Sequence, residues 1–325
     1  LEVIALGRAN DVPNPLVVNN ALQRLGIRGN PERELDVFGG VRIRHTLDLF
    51  QGNDNTFAGT DAGNLSNTTG SSNAALGFES LKNNTNGNGN VAVGKQALYN
   101  NISGGENTAI GALALSSNTS GVQNTASGYQ SLYLNTTGFN NTATGEGTLY
   151  SNTSGNSNTA NGLQSLYSNT TGDSNVSNGI TSLFNNTTGN FNTAVGRDSS
   201  KNNTTGTGNT AIGHQALLNN TTSAGNVAVG KTAGSIVFGG TTNDTPVNSI
   251  FIGTGTKAKT NNDTNQIVIG FNAIGEGDNT ARIGNTATNK LYVGGNNAGI
   301  VLKSPNGTAY IIKVTNAGAL TVTAL

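Results

Sequence analysis

Between residues 55 and 230, a small residue, a glycine and a leucine return at fixed offsets from an asparagine that opens an N-T-A-x-G-like pentapeptide. That asparagine stands at Asn55, Asn73, Asn90, Asn107, Asn124, Asn141, Asn158, Asn175, Asn192, Asn209 and Asn226. The first step is 18 residues, and 17-residue steps then follow nine times running. With each unit numbered from this asparagine, position 3 is small, from Ala75 to Ala228, with Ser177 as the one hydroxyl. Position 5 is glycine from Gly77 to Gly230, and position 15 is glycine from Gly87 to Gly206. Position 9 carries Leu81, Leu98, Leu115, Leu132, Leu149, Leu166, Leu183 and Leu217, lapsing to Ser200 and Gly234. Position 12 is asparagine from Asn84 to Asn220. The unit reads as a short strand, a glycine turn, a short leucine-bearing segment and an N-T-T-G turn.

Seventeen residues are too few for a helix pair or a propeller blade, but at about 3.3 Å per strand residue they suit one turn of a solenoid. The expected fold is all-β: a parallel β-solenoid, or β-roll, of 17-residue coils stacked about 4.8 Å apart. Gly, Asn and Thr are weak helix formers, and no 3.6-residue stripe is present. The prolines are at 13, 15, 31, 246 and 305. None falls inside the array, where a missing N–H would interrupt every ladder. Glycine at fixed points supplies turns that need positive φ. The asparagines at position 1, from Asn73 to Asn226, are expected to stack as side-chain amide ladders, as are those at position 12. Each coil buries few apolar side chains, mostly Ala and one Leu. This points to several chains sharing a core, most simply three.

The ends differ from the array. Residues 1–50 hold 12 of the 34 charges and three of the five prolines. Val17, Val18, Ala21, Leu22 and Leu25 fit one face of a short helix, and Leu35–Arg44 fits a strand with a Gly39-Gly40 break. This is read as an attachment or capping segment. Residues 51–230 form the regular shaft, and 231–290 form irregular coils anchored on Asn248, Asn265 and Asn279, with strands at Ile250–Gly253, Ile267–Gly270 and Ala281–Gly284. Residues 291–325 are expected to form a C-terminal antiparallel β-meander, with strands at Ile300–Lys303, Ala309–Val314 and Ala319–Ala324.

Composition narrows the function. Lys+Arg and Asp+Glu are each 17, so the formal net charge is zero. This argues against a nucleic-acid binder or a polybasic membrane-surface module. No run approaches the ~20 apolar residues of a spanning helix. Asn is 53, Gly 46 and Thr 43, Cys is absent, and there are two histidines, His45 and His214. There is thus no thiolate metal site and little room for histidine catalysis, and no cofactor or metal is expected. Gly253–Thr256 and Gly275–Gly277 are glycine-rich, but no helix follows to make a phosphate site. Glu276 and Asp278 could pair as carboxylates, though a solvated turn is the plainer reading. Asp54, Asp61, Asp173 and Asp263 lie singly in turns. His214 reads as an exposed coil residue, and the many N-x-T/S sequons, as at Asn67, Asn118 and Asn152, read as turn chemistry.

Position 10 carries Tyr99, Tyr133, Tyr150, Tyr167 and Phe184, the last four at successive coils. This stripe suits either sugar stacking or packing at a subunit interface. Position 4 is apolar at Leu76, Val93 and Ile110, polar at Ser127, Thr144, Asn161 and Asn178, and apolar again at Val195, Ile212 and Val229. It faces either a shared axis or solvent.

Asn107–Gly111, Asn209–Gly213 and Asn226–Gly230 resemble the N-x-V/A-A-I-G repeats of trimeric autotransporter adhesin heads. Over roughly residues 55–290 this resemblance implies a trimeric left-handed parallel β-roll. The 14-residue step from Asn265 to Asn279 matches the usual adhesin coil, whereas the 17-residue coils depart from it. The longer N-T-A-I-G…L…N-T-T-G arrays look more like phage tail fibre shafts. Gly299–Gly307 looks like the distal end of such a fibre, and Glu34–Val41 resembles a segment that precedes the shaft. A C-terminal β-barrel anchor and a long coiled-coil stalk are not legible, which favours a fibre. The expectation is therefore a non-enzymatic homotrimeric virion fibre (a phage tail fibre). It would join other tail or baseplate proteins through residues 1–50 and contact a host cell-surface glycan or protein at its tip, with Lys303, Asn306, Tyr310 and Asn316 as candidate contacts. A bacterial trimeric surface adhesin head is the alternative. An ice-binding solenoid is disfavoured because the Thr pair at positions 13 and 14 is adjacent, and a depolymerase because no carboxylate cluster recurs.

Overall fold

The computed structural model describes residues 54–63, 69–240, 242, 246–287, 300–303, 309–314 and 320–324. The expected attachment segment at 1–50 lies outside them, as do Asn306 and Asn316. The chain divides after Asp48, and every described residue belongs to the second part.

No helix occurs among the described residues. Three-residue strands run from β1 (Thr56–Ala58) to β14 (Ala281–Ile283), and they form one 14-stranded parallel sheet in chain order. Register follows the repeat: β4 (Thr108–Ile110) pairs Thr108 with Thr125, Ala109 with Ala126 and Ile110 with Ser127 of β5 (Thr125–Ser127). The pleat sends the middle residue inward, so Ala109 and Ala126 are fully buried while their neighbours face out. A second sheet, of β15 (Ile300–Lys303), β16 (Ala309–Val314) and β17 (Leu320–Ala324), is antiparallel.

Only one side of each coil is strand, yet the turns also bond to the coils above and below. Leu115 N donates to Ser131 O at 3.0 Å, and Ser117 N donates to Tyr133 O at 3.1 Å. Gly111 N and Leu113 N donate the other way, to Val93 O at 2.8 Å and Lys95 O at 2.9 Å. Reaching these partners requires left-handed backbone at residues other than glycine. In the coil from Asn107, Leu113, Leu115 and Gln123 have φ of 61°, 51° and 57°. Such conformations cost about 1–2 kcal/mol each. The burial of Leu and the ladder bonds offset that cost. Glycine is still obligatory at position 5. Gly111 has φ of 134°, and a Cβ there would lie 2.5 Å from Gly128 O.

The interior is half amide. Asn124 donates its backbone N–H and its Nδ2 to Asn107 Oδ1, at 3.0 and 3.2 Å, and Nδ2 also donates to Gly138 O at 2.8 Å. The same column links Asn73, Asn90, Asn107, Asn124, Asn141, Asn158, Asn175, Asn192, Asn209 and Asn226. The column at position 12 behaves alike, with Asn118 Nδ2 donating to Asn101 Oδ1 at 2.7 Å and to Gly121 O at 3.0 Å. Gly121 O also accepts from Asn107 Nδ2 at 2.9 Å, so one carbonyl joins the two ladders. A Cβ at Gly121 would lie 2.4 Å from both Asn118 Oδ1 and Gly138 O, which explains the glycine column at position 15.

These ladders change the reason for a sparse core. The sequence pointed to neighbouring chains completing it. Instead, the Leu, Ala and Asn columns close within a single chain, and Leu98, Leu115 and Leu132 are fully buried there.

The irregular coils also correct the register. Their strands fall at Ile250–Ile252, Ile267–Ile269 and Ala281–Ile283, but Asn248, Asn265 and Asn279 are not the ladder residues. They occupy the left-handed corner just before it, with φ of 52°, 51° and 58°. The ladder position passes to Ser249, whose N–H donates to Asn226 Oδ1 at 3.0 Å, and then to Gln266, whose N–H donates to Ser249 Oγ at 3.2 Å.

Where leucine lapses to glycine, an aromatic ring takes its space. A Cβ at Gly234 would lie 2.7 Å from the buried Phe251 ring, and one at Gly63 would lie 2.3 Å from the Phe57 ring. Ser200 has no such substitute: Ala194 and Ala211 are the position-3 residues of its own coil and the next. The buried apolar cluster divides at this point, between Ala194 and Ala211. The φ of Ser200, 46°, is close to the 48° of Leu183 and Leu217. Ser200→Leu is therefore expected to raise stability by about 2 kcal/mol, read as a higher urea midpoint. Asn124→Asp exchanges two buried donors for a charge facing carbonyl oxygens, and is expected to cost on the order of 4 kcal/mol in the same assay.

Candidate functional site

The expected contact residues are only partly placed. Lys303 pairs with Ala309, and Tyr310 pairs with Leu302 and Ala324, on neighbouring rungs of the antiparallel sheet. The aromatic stripe and the outward face of the parallel sheet are described fully.

Position 10 follows the buried leucine, so its side chain emerges beside the core. Coil stacking then sets ring on ring. Centroids are 5.2 Å apart for Tyr133–Tyr150, 4.9 Å for Tyr150–Tyr167 and 5.2 Å for Tyr167–Phe184, and the planes of the last two pairs differ by 7° and 8°. The sugar-stacking alternative needs open ring faces. Here each inner ring face is covered by the next ring, so the stripe presents edges and hydroxyls. Burial, followed by the neighbouring Tyr167, Tyr133 and Tyr129, pushes the Tyr150 phenol above its ordinary value of 10.0.

Position 4 is turned out of the coil. Leu76 is 55% exposed, Ile110 46% and Ile283 56%, and with Ile212 and Ile252 they make apolar stretches on either side of the polar Ser127–Asn178 block. The face carries this apolar–polar–apolar order along its length.

The carboxylates sit in separate local networks. Asp61 is not solitary as expected: Lys82 Nζ lies 3.2 Å from it and 2.6 Å from Glu79. The Lys82 hydrogen bond, then that from Gln96, holds Glu79 below the usual carboxylate range. Asp173 joins a minor column, accepting from Asn156 N at 2.6 Å. Asp263 accepts from Thr260 N at 2.7 Å. Glu276 pairs with Arg282, whereas Asp278 accepts from Thr264 N at 2.7 Å, so the two carboxylates serve different partners. His214 is half-buried rather than exposed, and its Nδ1 has no partner. The sequons at Asn118 and Asn152 are fully buried with both amide hydrogens engaged, which leaves no nitrogen for a glycan in the folded chain. Asn67 lies outside the described residues.

No protein-family model, no curated protein and no solved structure matches the chain.

The raised Tyr150 phenol has a stability consequence. The fold favours the protonated form, so its contribution is complete below pH 10.0, the unfolded value, and is lost as pH rises through the higher folded value. Tyr150→Phe is expected to flatten the fall in urea midpoint above that pH. An unchanged slope would show that the phenol titrates alike in both states.

Proposed function

We propose that this chain is the structural and host-recognition fibre of a virion, a phage tail fibre. It works as a rigid homotrimeric shaft with a receptor-binding tip at 291–325, joined to other tail or baseplate proteins through residues 1–50. The observation that carries this reading is the uninterrupted stack of 14 strands in chain order. At about 4.8 Å per rung it extends roughly 60 Å. Backbone bonds join successive coils along the strands and at the turns, and two amide columns run through the regular array, so the stack resists bending as well as stretching. A fibre needs that reach and stiffness.

The outward sheet face supports the trimer. Three parallel copies set about one axis bring like against like: the apolar rows near Ile110 and Ile212 meet their own counterparts, and the polar Ser127–Asn178 block meets itself. Large exposed apolar rows mark such contacts. Sedimentation equilibrium is expected to give a trimer. Ile212→Lys combined with Ile252→Lys is expected to give a monomer with an unchanged circular dichroism spectrum. A wild-type chain that sediments as a folded monomer would remove the trimer. Immunogold microscopy with an antibody to the shaft tests the setting: labelled projections on virus particles support the fibre, and labelled cell envelopes support a bacterial adhesin head instead.

A further inference from the structure

The irregular coils carry a groove whose lining differs from that of the regular coils. On a side of the coil away from the β1–β14 sheet, Val237 bridges Ala258 and Lys257 bridges Ile274, all in parallel register. Phe238 N donates to Ala258 O and Gly275 N to Lys257 O, each at 2.9 Å. This register carries Phe238, Lys259 and Glu276 into one column at successive rungs. On the last strand, β14, Arg282 takes the register position that Phe251 and Val268 fill in the two preceding coils, and Arg282 Nη1 donates to Glu276. These four residues, with Ile274 and Gly275, line a groove of about 300 Å³.

We infer that this groove binds a carboxylated saccharide. Phe238 is 64% exposed and offers an open ring face, unlike the stacked tyrosines, for the C–H face of a sugar. Lys259 is exposed and makes no ion pair among the described residues; Nζ reaches only the Glu276 carbonyl, at 3.4 Å. It is the partner for the carboxylate. With Arg282 held by Glu276, the groove keeps one positive charge in excess. The pair also presents donors and acceptors to hydroxyls. Gly275 is glycine for an internal reason: a Cβ there would lie 1.8 Å from Oε1 of the fully buried Gln266.

This assignment rests on the fibre reading only for its choice of a cell-surface ligand. Isothermal titration calorimetry on the full chain tests it, with a tetrasaccharide of alternating glucuronate and N-acetylglucosamine, its carboxyl-reduced neutral form, and inorganic phosphate. The acidic sugar is expected to saturate, and the neutral form to bind at least about tenfold more weakly. Lys259→Gln and Phe238→Ala, both at exposed positions and checked by circular dichroism, are each expected to weaken binding about tenfold or more. Phosphate is expected not to compete. The site is refuted by absence of saturable binding, by equal affinity for the neutral sugar, by unaffected variants, or by displacement with phosphate, which would mark a simple anion site. Labelled virus particles together with no sugar binding would remove the site and leave the fibre standing.

Discussion

The side chain of a position-1 asparagine has two donors and one carbonyl oxygen, and all of them are spent on the stack. Oδ1 accepts from the backbone and the amide of the next asparagine, while Nδ2 reaches the previous Oδ1 and a glycine carbonyl of its own coil. An amide left unpaired in that interior would cost about 1–3 kcal/mol. Up to residue 249 the sequence therefore supplies asparagine at every rung or a group that continues the bonding. Serine does so at 249 through both its N–H and its Oγ. The 17-residue period keeps asparagine over asparagine, and the 18-residue first coil does so as well, with Asn73 N–H and Nδ2 donating to Asn55 Oδ1. Where the insertion near 240 lengthens one coil, the stack recovers its register only because Asn226 finds Ser249 N and Pro246 O.

A second constraint acts on the backbone. Stacked coils approach so closely at positions 5 and 15 that a Cβ would collide with the carbonyl of the next glycine. The corners at positions 7, 9 and 17 instead have room, and there the chain places Gln, Leu and Glu in left-handed conformations. Torsion and sterics act together: position 5 has φ near 130°, which only glycine adopts readily, the corners have φ near 50–60°, which other residues tolerate, and position 15 is glycine for space alone. That is why glycine columns alone understate how much of the coil is left-handed.

The coil length, the strand positions and both asparagine columns were legible because periodicity encodes them directly. The leucine corner was not: Leu115 carries no local signal of φ 51°, since its conformation is imposed by partners one coil away. The register of the irregular coils was misread for a related reason. Asn248 and Asn265 look like ladder residues by spacing, but asparagine also suits a left-handed corner, and only the strand pairing of Ile250 with Val227 separates the two roles. The exchanges of Phe57 with Gly63 and Phe251 with Gly234 did leave a signal. Each leucine lapse to glycine is accompanied by an aromatic residue at position 3, a volume trade visible once the columns are aligned. The covered faces of the tyrosine stripe could not be seen in sequence, because spacing gives proximity but not ring orientation.

The columns divide the work. Positions 1, 3, 5, 9, 12 and 15 face inward or into close contact, and their residue types are fixed by hydrogen bonding and space. Positions 2, 4, 6 and 10 face outward, and there Thr, Val, Ile, Asn, Tyr and Lys exchange freely between coils. Chemistry that distinguishes one partner from another must lie in the outward columns or where inward columns break down. The regular shaft supplies the first as long, slowly varying rows suited to a matching row on another copy. The coils from 231 to 287 supply the second: an inward position becomes Arg282, and a short parallel pairing lifts Phe238 and Lys259 into one column. A row recognises a row, whereas a concave cluster of unlike groups recognises a small molecule. On this physical ground the two surfaces have different partners.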